Sequence, residues 1–107
     1  MVADDATIAR LRALLGGPRD GALLRMSLAS ALLAAKQHAE AIVELRCALD
    51  FDAEYSAAWK QLGRALAESG DTAAAAAAYE RGIDAAQRRG DKQAGREMEV
   101  FLRRLQR

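Results

Sequence analysis

His38 and Cys47 are the chain's single histidine and single cysteine, and they bound the chemistry it can do. A Cys/His metal site needs several such ligands converging on one point, and one of each cannot supply it. A lone cysteine also allows no internal disulfide, which fits a reducing compartment. Cys47 lies among apolar helical positions and reads as a small hydrophobe. His38 opens the same stretch and reads as an exposed residue at a helix start. Glu40 and Glu44 share a helical face, with Asp50 and Glu54 nearby. Paired carboxylates can do acid–base work, but on an exposed helix face they are solvated charges. Gly16, Gly17 and Gly21 are loop punctuation rather than a phosphate cradle, because no strand precedes them and no Lys follows in P-loop register. No nucleophile elbow or zinc-protease motif occurs. These residues imply no enzyme, no cofactor and no metal. Lys60 and Arg64 are different. They stand one turn apart on one helical face, where two cations either hold a carboxylate of a bound segment or pair with neighbouring acids such as Glu68.

Positioning such residues falls to helices. The chain has 107 residues with one proline, Pro18, and alanine makes up roughly a quarter of it. Alanine is the best helix former because it loses no side-chain entropy, and nothing after Pro18 removes a backbone donor. The expected fold class is all-α. Ile8, Leu11 and Leu15 predict an amphipathic helix over 4–15, with Asp4 or Asp5 at its start. The Gly16–Gly21 segment stops it. Leu24, Leu28, Ala31, Leu32 and Ala35 predict a helix over 22–36. Ala41, Ile42, Leu45, Ala48 and Leu49 predict another over 38–51. A fourth starts near Glu54 and carries Tyr55, Ala58, Trp59, Leu62 and Leu66. Gly70-Asp71 and Gly90-Asp91 are two stop-and-cap signals. Between them lies a helix with Ala75, Tyr79, Ile83 and Ala86. After them a helix over about 91–106 carries Met98, Phe101, Leu102 and Leu105. Turns this short place successive helices antiparallel.

Residues 22–55 align with 56–89 at an offset of 34. Leu28 falls on Leu62, Ala29 on Gly63, Leu32 on Leu66, Ala41 on Ala75, Leu45 on Tyr79 and Leu49 on Ile83. A helix pair with this period resembles the tetratricopeptide (TPR) repeat. The second copy carries the likeness: Trp59-x-x-Leu62-Gly63-x-x-Leu66, then Ala75 and Tyr79. The resemblance implies antiparallel pairs in a short right-handed superhelical array of about six helices. Small Gly63 and Ala75 would let the helices of a pair approach, while Trp59 and Tyr79 fill the space where helices diverge. The first copy departs from the pattern, with Arg25 at the tryptophan position and Lys36-Gln37 where the second has Gly70-Asp71. Gly82 replaces a family alanine, at a helix cost of about 1 kcal/mol. Ala53 and Gln87 stand where the family has proline between repeats. The expected organisation is one domain over 1–107, with repeats at 22–55 and 56–89. Residues 90–107 are similar to the helix that caps such arrays. The helix at 4–15 either caps the other end, serves as a partner-contacting arm, or folds into the groove.

The resemblance also implies a groove walled by the first helix of each pair. Carried over, its positions are Leu23, Met26, Ser27, Ser30 and Leu33, then Ala57, Lys60, Gln61, Arg64 and Glu68. In family modules that grip the C-terminal carboxylate of chaperones, a Lys and an Asn stand at the Lys60 and Arg64 positions. Arg64 replaces that Asn, and Ser27 and Gln61 are weak substitutes elsewhere, so the full clamp is absent. The implied function is a protein–protein interaction module that binds a protein or peptide through this groove. The alternative is a self-association module forming a homodimer. Net charge is +1 overall. Residues 88–107 hold 7 basic and 3 acidic side chains, but only one aromatic, Phe101, lies among the cations, which argues against nucleic acid. The acidic start does not read as a signal peptide, and no stretch approaches the ~18 apolar residues of a membrane span. The expectation is a soluble cytoplasmic protein with no membrane partner.

Overall fold

The structure, a computed structural model, describes residues 5–107. Six helices follow in order: α1 (Asp5–Arg12), α2 (Ala22–Ala34), α3 (His38–Phe51), α4 (Ser56–Glu68), α5 (Thr72–Arg89) and α6 (Lys92–Leu105). α2 packs with α3 and α4 with α5 as antiparallel pairs, α3 meets α4, and α6 closes on α5 and α4. No helix among the described residues is long and apolar enough to cross a membrane.

Three helix ends differ from the periodicity: α2 ends at Ala34 rather than at about 36, and the other two differ for local reasons. The first helix is expected over 4–15 but ends at Arg12. Leu14 and Leu15 donate to Leu11 and Arg12, three residues back, which tightens the last turn out of α-geometry. Asp4 lies outside the described residues. The fourth helix, expected near Glu54, starts at Ser56, because Asp52 holds a turn just before it. Its carboxylate accepts the Glu54 N–H at 3.1 Å, and its carbonyl accepts the Tyr55 N–H at 3.1 Å.

The stop signal at the end of α2, α4 and α5 is one motif used three times. Gln37, Asp71 and Asp91 donate their N–H to Leu32, Leu66 and Ala86 respectively. The residue before each donor has positive φ: Lys36 at 62°, Gly70 at 88° and Gly90 at 76°. This is the Schellman ending, which favours glycine at that position. Asp71 and Asp91 then cap the next helix by accepting from Ala74 and Ala94. Gln37 makes no such side-chain bond.

The core runs through both pairs. Ala29, Leu45, Ala48, Leu49, Ala58, Trp59, Leu62, Leu66, Ala75, Tyr79, Ala86 and Met98 are buried in one cluster. A second cluster at the N-terminal end holds Ile8, Leu28, Ala31, Leu32 and Ala41, with Leu11 and Leu15 against it. α1 thus lies on the outer end of the first pair. The two small positions in the second pair are sterically required. A Cβ on Gly63 would sit 2.4 Å from the Tyr79 ring, and one on Gly82 would sit 2.4 Å from the Met98 sulfur and 2.6 Å from Trp59 Cβ. Gly82 is therefore the point where α5 admits both α4 and α6.

Arg25, at the tryptophan position of the first pair, is an ionic hub. Its Nε and Nη2 donate to the two oxygens of Asp20 at 2.9 Å each, and Nη1 donates to Glu44 at 2.9 Å. Asp20 also accepts the Gly16 and Gly21 N–H groups. The fork from Arg25, helped by these amides, holds the Asp20 carboxyl at a pKa of about 2. The same contacts raise the Arg25 pKa.

Candidate functional site

α2, α4 and α6 form one layer of the molecule and α3 and α5 the other. The α2–α4–α6 layer carries a trough made of two adjoining depressions. The first, about 290 Å³, is lined by Ser30, Leu33, Ala34, Lys36, His38, Gln61, Arg64 and Glu68. The second, about 460 Å³, is lined by Lys60, Gln61, Arg64, Tyr79, Glu97 and Phe101. Gln61 and Arg64 belong to both, so the trough runs across the middle of α4.

The candidate residues separate into two groups. Ser30, Leu33, Lys60, Gln61 and Arg64 line the trough together. Leu23 and Met26 lie outside it. Leu23 is 73% exposed, while Met26 and Leu33 are half-buried against the core. The apolar wall expected from α2 is therefore reduced to Leu33 and Ala34, because the core claims part of Met26 and Leu23 stands exposed at the start of the helix. α1 packs on the outer end of α2 and leaves the trough open.

The polar groups of the trough are partly paired. Lys60 Nζ lies 3.0 Å from Glu97 Oε1, tying α4 to α6. Arg64 Nε lies 3.5 Å from Glu68 Oε2, and His38 Nε2 lies 3.1 Å from the other Glu68 oxygen. Arg64 remains 66% exposed. The Tyr79 ring stands 5.8 Å from Phe101, and burial raises the Tyr79 pKa. Sequence reasoning missed Lys36, His38, Tyr79, Glu97 and Phe101 as trough residues. Glu97 and Phe101 were not marked by the repeat, because at its offset of 34 they fall on Gly63 and Ala67, neither of which is a groove position. Lys36 and His38 were not marked either, because their placement depends on how the α2–α3 turn projects.

Nothing in the trough pairs a nucleophile with a base, and no group of three or more His, Cys, Asp or Glu side chains among the described residues could hold a metal. The arrangement can offer an amide (Gln61), a guanidinium (Arg64), a hydroxyl (Ser30) and an apolar ring edge to an extended segment. The basic tail is also less free than its composition implies. Arg88 pairs with Glu54 and Arg89 with Asp52, each at 2.8 Å.

No protein-family model matches the chain. A TPR repeat-containing protein of Pseudomonas aeruginosa, PA0015, is 46% identical over 88 residues, covering 82% of this chain and 84% of that one. The solution structure of protein BPP2914 from Bordetella parapertussis superposes with a TM-score of 0.81 at 47% identity, covering 95% of this chain and 89% of that one. The crystal structure of the Sgt2 TPR domain from Aspergillus fumigatus superposes with a TM-score of 0.65 at 32% identity, covering 90% and 68%. With the two helix pairs, the three shared helix endings and the close approaches at Gly63 and Gly82, these likenesses place the chain in the tetratricopeptide-repeat family.

Proposed function

We propose that the chain is a peptide-binding adaptor that takes an extended acidic segment of another protein into the α2–α4–α6 trough. Folds of this repeat type generally serve protein–protein interaction. The observation that carries the reading is the sharing of Gln61 and Arg64 by both depressions. An extended peptide crossing α4 would meet an amide able to bond its backbone and a guanidinium able to take its carboxylate. Lys60 is the weaker half of the Lys60/Arg64 idea, because Glu97 already holds it.

Amide chemical-shift titration of the labelled protein with short peptides, ending in a free acidic carboxylate or in its amide, tests this. Shifts at Ser30, Gln61 and Arg64 are expected for the free acid. Arg64→Ala should weaken binding about tenfold, the scale of one charge-assisted hydrogen bond. Shifts confined to α3 and α5, or none at millimolar peptide, would sink the reading.

Self-association is the second reading, favoured by apolar side chains left exposed outside the trough, Leu23, Val43 and Phe51.

A further inference from the structure

The outer face of α3 does not look like a solvated face. Its inner face, Ala41, Leu45, Ala48 and Leu49, is buried. On the outward side, Val43 is 57% exposed and Phe51 is 55% exposed, with Cys47 partly exposed between them. The spacing of four residues lines the three along the outside of the helix over about 12 Å.

The two flanks of this line differ. On one flank Glu40 is paired with Arg12 and Glu44 with Arg25. On the other, Arg46 and Asp50 form no ion pair among the described residues. They stand one turn apart, with opposite charge, beside the apolar line.

We infer that the chain forms a two-fold antiparallel dimer through the outer face of α3, with Val43, Cys47 and Phe51 as its seam and Arg46 and Asp50 as its reciprocal ion pairs. A two-fold axis through Cys47 sets Val43 against the partner's Phe51 and Cys47 against the partner's Cys47. When identical helices meet antiparallel, each flank faces its own kind. Arg46 then lies within one turn of the partner's Asp50, and this attraction occurs twice, against a single approach of the two Arg46 side chains beside the axis. A parallel dimer would instead set the free Arg46 and Asp50 against glutamates already neutralised within each chain. The face complements itself in both shape class and charge, and this argues for a second copy as its occupant. The trough lies in the other layer, so the dimer leaves both troughs open and presents two binding sites at a fixed separation. The inference does not depend on what the trough binds.

The seam is one helix face, smaller than the roughly 800 Å² per partner of a standard interface. The expected dimer therefore has a dissociation constant in the micromolar range. Sedimentation equilibrium over a concentration series should show it. Phe51→Glu should give a monomer at every concentration while the circular dichroism spectrum stays unchanged, since the side chain is exposed. Arg46→Asp alone and Asp50→Arg alone should each weaken association about tenfold, because each sets like charges together twice. The double variant should restore it. A short bis-maleimide should join Cys47 to the partner's Cys47 in the wild type and not in Phe51→Glu. A monomer up to millimolar concentration, a dimer that Phe51→Glu leaves intact, or a double variant no tighter than either single would each overturn the inference.

Discussion

Replacing Gly82 by alanine should destabilise the protein, although alanine is the better helix former by about 1 kcal/mol. The added methyl would stand 2.6 Å from Trp59 Cβ and 2.4 Å from the Met98 sulfur. The Met98 end can move, but the Trp59 Cβ is fixed to its backbone. Overpacking of this kind costs about 1–3 kcal/mol, so thermal denaturation should show a lower Tm; a higher one would mean that the helices part freely. Gly63 was legible in sequence as a close-approach residue because the repeat pattern marks it. Gly82 was not, since the family has alanine there and its crowding comes from Trp59 together with Met98, the latter on a helix outside the repeat. It reads as a weakness until that neighbour is known. Lys36-Gln37 makes the opposite case. Lys36 holds a positive φ that glycine adopts at no steric cost, and Gln37 leaves a cap unmade where Asp71 and Asp91 make one. Lys36→Gly with Gln37→Asp should stabilise by about 1–2 kcal/mol. Denaturant titration with an unchanged m-value would confirm the gain, and no shift of midpoint would refute it.

The stability lost in acid should depend most on Asp20. Its folded pKa of about 2 lies below the ordinary carboxylate value of 3.8 because Arg25 and two amides favour the charged form. A depressed carboxylate contributes stability that is full above the unfolded pKa and lost as pH falls toward the folded one. Asp52 and Asp91 are lowered too, by Arg89 and by the Ser56 hydroxyl respectively. Stability should therefore decline from about pH 4 downward. Asp20→Asn should flatten that decline while lowering stability at neutral pH, and an unchanged acid limb would show that the Arg25 hub does not couple to folding. The sequence marks Arg25 only as a departure from tryptophan. Its partners lie 5 and 19 residues away on a loop and a different helix, and no spacing rule connects them.

At the scale of elements, α1 is the helix whose placement hangs on fewest side chains. It has eight residues and one fully buried anchor, Ile8, 2% exposed. An isolated helix of this length does not hold its shape in water. Ile8→Ala should remove about 2–4 kcal/mol of docking and release α1 while α4 and α5 stay folded. Hydrogen exchange should then show lost protection in α1 and unchanged protection in α4. Equal loss in both would mean that the array opens as one unit. The helices themselves were legible, because the apolar periodicity is strong and the turns are punctuated by glycine and aspartate. Their last turns were not, since these depend on single hydrogen bonds such as those of Asp52. The trough was half legible. Its α4 wall follows from the repeat register, but its α6 wall belongs to a segment that departs from the repeat.

For the whole molecule, the packing order has a consequence in time. The substantial helix contacts join successive helices, with α4–α6 the one longer step beyond a neighbour. Contacts close in sequence mean short loops to close and fast folding, and helical proteins of this kind fold within microseconds to milliseconds. Stopped-flow refolding should be complete in that range, and a slow phase of seconds would require another explanation. The same order matters during synthesis. Chains leave the ribosome at about 5–20 residues per second, far slower than a helix pair forms. Each new helix emerges to find its packing partner already made. The α2–α3 pair can form before α4 exists, and only Met98 and its neighbours, translated after α5, close over Gly82. The apolar face of α5 is thus the last to be covered, and it stays open to solvent only for the time needed to make α6.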